Sequence, residues 1–204
     1  MRFRAAAVAF PGLRGSAGAG LDWSLSTRGQ LWMLKDEVMT QFSARDGLPD
    51  GFLRSMCEDR EGTMWFGTTA GLIRFKDGSF TTYTTKDGLS SNWIVFVMQD
   101  REGTLWISTE DSGVMRITKK VITTISEKDG LRGKIVYPII EDRSGSIWVG
   151  SRGVNRIKDG KFSYYPLNFA TISSLYEDRE GRLWIGHDSG LYRFQDENSP
   201  TISR

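Results

Sequence analysis

Five tryptophans recur along this chain at near-constant intervals: Trp23, Trp65, Trp106, Trp148 and Trp184, spaced 42, 41, 42 and 36 residues apart. The text around them repeats as well. Asp59-Arg60-Glu61-Gly62-Thr63-Met64-Trp65 returns as Asp100-Arg101-Glu102-Gly103-Thr104-Leu105-Trp106, and again from Asp142 to Trp148 and from Asp178 to Trp184. A period of about 40–45 residues made of short strands is that of propeller blades. The repeat constrains the fold before composition does. It also turns most residues that look chemical into candidates for scaffold.

One copy reads as four strands. Asn92 to Met98 is a continuous apolar run, as in a strand covered on both faces. Asp100-Arg101-Glu102-Gly103 is a turn, and Leu105-Trp106-Ile107-Ser108 is the second strand. Gly113 to Ile117 and the β-branched Val121 to Ile125 follow. Asp77-Gly78 and Asp159-Gly160 predict tight hairpins between strands three and four. Asp36-Glu37 and Lys119-Lys120 lack the glycine and predict looser ones. The exits carry Asp46-Gly47-Leu48, Asp87-Gly88-Leu89 and Asp129-Gly130-Leu131. The first copy shows no strand before Trp23, and its second strand reads as offset by one residue. The last copy stops after Phe194 without a fourth strand. The expected fold is all-β: a β-propeller or partial propeller of about 4–5 four-stranded antiparallel blades. Residues 21–196 form the array, 1–20 a leader or disordered segment, and 197–204 a disordered tail.

Composition narrows the function classes. Glycine is abundant at 23 and proline scarce at 5 in 204 residues, as many tight turns require. The net charge of +2 is spread along the chain, which leaves no footprint for nucleic acid. The longest apolar run, Trp93 to Met98, is far short of a membrane span. Basic Met1 to Arg4 followed by apolar Ala5 to Phe10 reads either as a short secretory signal or as a disordered leader.

Gly-x-Leu-Trp-Ile-Gly, as in Gly181 to Gly186, is joined by Gly-Leu-x-Arg-Phe, as in Gly71 to Phe75, and by Asp-Gly-Leu. Together they resemble the two-component regulator propeller repeat, over Trp23 to Phe194. The resemblance implies a β-propeller sensor region ahead of a membrane span and a histidine-kinase or similar output, and hence a periplasmic or extracytoplasmic location. It implies a small-molecule ligand, a carbohydrate among the options, or a protein partner. The chain then reads as a fragment of a longer sensor without its kinase, or as a stand-alone array.

The repeat also sorts the individual residues that could carry chemistry. The pairs Glu58-Asp59, Glu141-Asp142 and Glu177-Asp178 recur at a turn, whereas a two-carboxylate enzyme needs one pair in two different environments. Arg74, Arg116, Arg156 and Arg193 hold one position in the third strand and are expected to lie between blades, paired with a repeated aspartate. His187 is the single histidine and Cys57 the single cysteine, so no metal set or internal disulfide is expected. No catalytic residue and no cofactor is expected. The copies diverge in their second-to-third loops and exits, so a ligand would be read there by Asn92, Trp93, Glu110, Asp111, Arg132, Lys134, Arg152, His187 and Asp188. The leading reading is a non-catalytic sensor or ligand-binding module. A protein-interaction scaffold is the alternative, and a module resembling the streptogramin lyases is a third. Open propeller ends would favour self-association.

Overall fold

The computed structural model describes residues 5–6, 14–17, 21–25, 31–118, 121–167, 171–187 and 190–194. After a two-residue strand, β1 (Ala5–Ala6), the first sheet contains β2 (Arg14–Ala17), β3 (Leu21–Leu25), β4 (Leu31–Lys35) and β5 (Val38–Phe42). The second contains β6 (Leu53–Glu58), β7 (Met64–Thr68), β8 (Gly71–Lys76) and β9 (Ser79–Tyr83), with β1 added beside β6. The third runs β10 (Ile94–Gln99), β11 (Leu105–Thr109), β12 (Val114–Thr118) and β13 (Val121–Ile125). The fourth runs β14 (Ile139–Glu141), β15 (Ile147–Gly150), β16 (Gly153–Lys158) and β17 (Lys161–Pro166). The fifth contains β18 (Ile172–Glu177), β19 (Leu183–His187) and β20 (Gly190–Arg193). All pairings are antiparallel between chain neighbours, apart from β1 on β6, and the sheets are the blades of a β-propeller.

Strand alternation assigns each blade two faces. One carries the repeated tryptophan, and the other carries its two neighbours in sequence. The tryptophan face of each blade packs on the flanking-residue face of the next. Cys57 and Leu72 of the second blade thus meet Ile94, Val97, Leu105, Ile107 and Met115 of the third. Equivalent clusters join blades one and two, three and four, and four and five. Among the described residues no buried cluster joins blade five to blade one.

The exits follow a local rule. Ser43, Thr84 and Ser126 each cap a short 3-10 turn, and Asp46, Asp87 and Asp129 bond back to the cap. The glycine that follows sits at φ 90, 98 and 108. This turns the chain so that Leu48, Leu89 and Leu131 enter the core. Asp-Gly-Leu is thus a capped stop followed by a hydrophobic plug.

Three expectations about the first blade and the hairpins are corrected. A strand does precede Trp23: β2 pairs with β3 through Gly15 opposite Trp23. Its residues, Arg-Gly-Ser-Ala, have little strand propensity, but main-chain pairing with a neighbour overrides propensity. The second strand is not offset, because Trp23 faces Met33 in the same register in which Trp65 faces Arg74. The Asp36-Glu37 hairpin is as tight as those with glycine. Both residues take positive φ, 48 and 65, and Lys35 pairs directly with Val38. The twist of the flanking strands selects that two-residue turn, and Glu37 bears its strain. Lys119 and Lys120 lie outside the described residues, although Thr118 pairs with Val121 across them. The fifth blade has three strands among the described residues, and most of the 1–20 leader and all of the 197–204 tail fall outside them.

Candidate functional site

The propeller presents a turn face and a loop face, and the repeat is written on the first. Asp100 Oδ1 accepts the amides of Glu102 and Thr104 at 2.9 and 2.8 Å, while Oδ2 accepts the Trp106 indole at 2.7 Å. Asp59, Asp142 and Asp178 repeat this with Trp65, Trp148 and Trp184 at 2.7–2.8 Å. One carboxylate therefore closes the turn and orients the core indole. In the first copy Ala17 stands six residues before the tryptophan, and among the described residues the buried Trp23 indole nitrogen has no hydrogen-bond partner.

The next residue staples the blades. Arg101 donates its amide to Glu141 at 2.9 Å, forms an ion pair with it at 3.0 Å, and reaches the carbonyls of Asp142 and Arg143 in the next turn. Arg60 donates its amide to the neutral Gln99 side chain and reaches the carbonyls of Asp100 and Arg101, and Arg143 repeats the full pattern toward Glu177, Asp178 and Arg179. The pairs Glu141-Asp142 and Glu177-Asp178 are thus accounted for as structure, as is Asp59. The third-strand arginines sit opposite the tryptophans, and Arg156 lies over the Trp148 ring at 5.2 Å while donating to Ser146.

This network sets an acid limit. Burial alone would raise the Asp142 carboxyl. The Trp148 indole, the Ser144 hydroxyl and the Ser146 and Ser144 amides outweigh it and hold the carboxyl below the ordinary range. Asp178 is depressed for similar reasons, against burial, by Trp184 and Arg182. A carboxyl depressed in the folded state stabilises the fold above its unfolded pKa of about 4, and that stabilisation is lost as pH falls through the folded value. Thermal melts are expected to drop below about pH 4. In Asp142→Asn the neutral-pH melt is lower and the acid drop shallower; an unchanged acid profile would refute the assignment.

The loop face is where the copies differ. Five residues after each exit glycine stands a large apolar residue: Phe52, Trp93 and Ile135. All three are exposed, Phe52 at 65% and Trp93 at 50%. Main-chain bonds fix the first two: the Thr69 amide donates to the Phe52 carbonyl and the Glu110 amide to the Trp93 carbonyl. Arg54, two residues past Phe52, forms an ion pair with Glu110 at 2.6 Å, both half-buried. The pair ties the strand behind Phe52 on blade two to the loop that backs Trp93 on blade three. Exposed aromatic residues on adjacent blades that are linked by a guanidinium–carboxylate pair supply both stacking surface and polar groups on this face.

The residues expected from sequence divide accordingly. Trp93 and Glu110 come together. Asp111 is exposed and accepts the Ser112 hydroxyl, and Lys134, also exposed, lies beside that loop because its carbonyl accepts the Gly113 amide. Asn92 is structural, accepting the Thr85 amide at 2.8 Å. Arg132 is held through its backbone by Asn155 and Ser151, and Arg152 is an exposed neighbour of Ser151. His187 ends β19 on blade five with its ring against Tyr192, away from Trp93. Asp188 lies outside the described residues. Phe52 belongs to a divergent exit but was not among the expected site residues, and Arg54 and Ile135 were not singled out; aligning the exits on Asp-Gly-Leu finds Phe52 and Ile135.

Residues 47–70, 88–111 and 166–189 each match the model of the two component regulator propeller. The chain carries regulator propeller repeats. The first two matches run from an exit glycine through the Asp-Arg turn to the second-to-third loop, so they span the plug, the indole clamp and the loop face. Solved structures share the β-propeller fold. The extracellular domain assigned to a hybrid two component system of B. thetaiotaomicron has a TM-score of 0.80 at 17% identity, over 95% of this chain and 29% of that one. A second such domain from the same organism has a TM-score of 0.78 at 21% identity, over 97% and 30%. Virginiamycin B lyase from Staphylococcus aureus has a TM-score of 0.74 at 15% identity, over 98% and 72%. This chain thus spans less than a third of the two-component domains. No curated protein matches it.

Proposed function

We propose that this chain is a non-catalytic sensor propeller that binds a small ligand on its loop face, at Phe52, Trp93, Arg54 and Glu110. The supporting observation is the pair of exposed aromatic residues at equivalent positions of adjacent blades, joined by an inter-blade ion pair. Stacking on Trp93 and Phe52 would hold a flat or ring-shaped ligand, and Arg54 and Glu110 would select its polar groups. The regulator propeller repeats and the extracellular two-component domains of like fold support a sensing role outside the cytoplasm, coupled to an output domain. Among the described residues no helix is long and apolar enough to cross a membrane.

The test is a thermal-shift screen of soluble metabolites and oligosaccharides, followed by calorimetry on any hit. Trp93→Ala and Glu110→Gln are each expected to weaken binding at least about tenfold, equivalent to about 1.4 kcal/mol, with little change in melting temperature. A ligand whose affinity is unaltered in both variants would move the site elsewhere. A second reading, docking of a partner protein, is favoured by the exposed row Phe52, Trp93 and Ile135. The lyase reading rests on fold alone.

A further inference from the structure

Blade four builds its part of the loop face differently from its neighbours. On β16, Asn155 is 1% exposed and stands one residue before Arg156, where blades two, three and five have Ile73, Met115 and Tyr192. A buried amide at an otherwise apolar position is costly unless its polar atoms are bonded. Here the bonds run to the exit segment and to the next loop. Asn155 Oδ1 accepts the Arg132 amide at 2.8 Å, and Nδ2 donates to the Arg132 carbonyl and to the Ser151 hydroxyl oxygen, both at 3.1 Å. Ser151 donates in turn to the same carbonyl at 2.5 Å. In blade three Met115 accepts the corresponding Ser90 amide through its sulfur, and the Thr109 hydroxyl closes its own loop. Gly133, at φ 99, lets the exit lie flat on the Ser151 loop. An added Cβ would stand 2.9 Å from the Ser151 Oγ and 3.0 Å from its Cβ.

What this clamp carries is positive charge. Arg132 and Lys134 flank Gly133, and Arg152 follows Ser151. All three residues are exposed, and among the described residues none has an ion pair. The corresponding exits, Pro49-Asp50-Gly51 and Ser90-Ser91-Asn92, contain no cation, and neither do the loops Thr69-Ala70 and Glu110-Asp111-Ser112. Asp111, on the neighbouring loop, accepts the Ser112 hydroxyl. Main-chain bonds thus hold three like charges side by side, at a cost in repulsion. A bound anion removes that cost, and guanidinium forks match the geometry of an oxyanion.

We infer that Arg132, Lys134 and Arg152 form a binding site for a multiply charged oxyanion, a phosphate or sulfate group, with Asn155 as its positioning residue. The site stands independently of the aromatic one. Loop 109–113 lies between them, its Glu110 amide bonded to the Trp93 carbonyl and its Gly113 amide to the Lys134 carbonyl. The test is calorimetric titration with inorganic phosphate, sulfate and glucose 6-phosphate, in chloride buffers of matched ionic strength. Saturable binding is expected. Arg132→Gln/Arg152→Gln should weaken it at least about tenfold with unchanged far-UV circular dichroism. Lys35→Gln/Lys161→Gln removes the same charge from hairpins of the turn face and should leave the affinity unchanged, as should Trp93→Ala. Asn155→Met installs the blade-three residue and should weaken the anion while the chain stays folded. Tighter binding of glucose 6-phosphate than of phosphate would place the anion on a larger ligand, and equal binding would assign a free anion; either supports the site. No saturable binding above chloride would overturn the proposal. So would an affinity unchanged in the double arginine variant, or one that falls equally in the double lysine control. Unchanged affinity in Asn155→Met would overturn the positioning role.

Discussion

Replacing Trp106 by alanine is expected to lower the unfolding free energy by about 3–5 kcal/mol. The indole is buried between blades three and four, against Met98, Val114 and residues of the next blade. Its removal leaves a cavity there. It also takes a donor from Asp100, whose carboxylate is itself buried and holds the turn through two amides. Domains of this size are stable by about 5–15 kcal/mol, so the loss is a large fraction of the whole. Trp106→Phe keeps most of the buried area but not the N–H, and should cost about 1–3 kcal/mol. Urea unfolding followed by far-UV circular dichroism measures both. A loss below about 1 kcal/mol in the alanine variant would mean that the repeated tryptophan is not the core of its interface.

Gly71→Ala is the second large effect, at about 3 kcal/mol or more. Gly71 opens β8 at φ 134, where a side chain is strained, and an added Cβ would press into the Tyr83 carbonyl oxygen of the neighbouring strand. That carbonyl belongs to the ladder, so relief requires moving β9. Gly78→Ala supplies the control: its φ is 77 but nothing lies within 4 Å of the added Cβ. The control should cost about 1–2 kcal/mol, the conformational part alone. Equal losses at the two sites would refute the backbone-approach argument.

The arginine staples explain how successive blades keep a common pitch. Each staple is partly exposed and contributes little alone. The side chain of Arg101 nevertheless reaches two carbonyls and a carboxylate of the next blade. It therefore sets the spacing of turns that the apolar clusters by themselves would allow to slide. The loop face sits on the same blades, so the distance between Phe52 and Trp93 is governed by packing far beneath them.

The sequence determined the blade. The tryptophan period, the Asp-x-x-Gly turns and the Asp-Gly hairpins are local, and local chemistry suffices to place β10 to β13 within about two residues of their bounds. It also told scaffold from loop, because a residue present in every copy answers to what every copy shares. Tertiary structure decided what depends on a neighbour. β2 forms because β3 offers it an edge, despite residues that favour no strand. Glu37 adopts a left-handed φ because strand twist demands it. The repeated aspartate takes an indole six residues away, and Arg54 finds Glu110 across 56 residues. Tyr176 and Leu191 look like any core positions in the text. Only the placement of the blades leaves both more than half exposed among the described residues, since burial belongs to the assembled fold and not to a residue's local pattern.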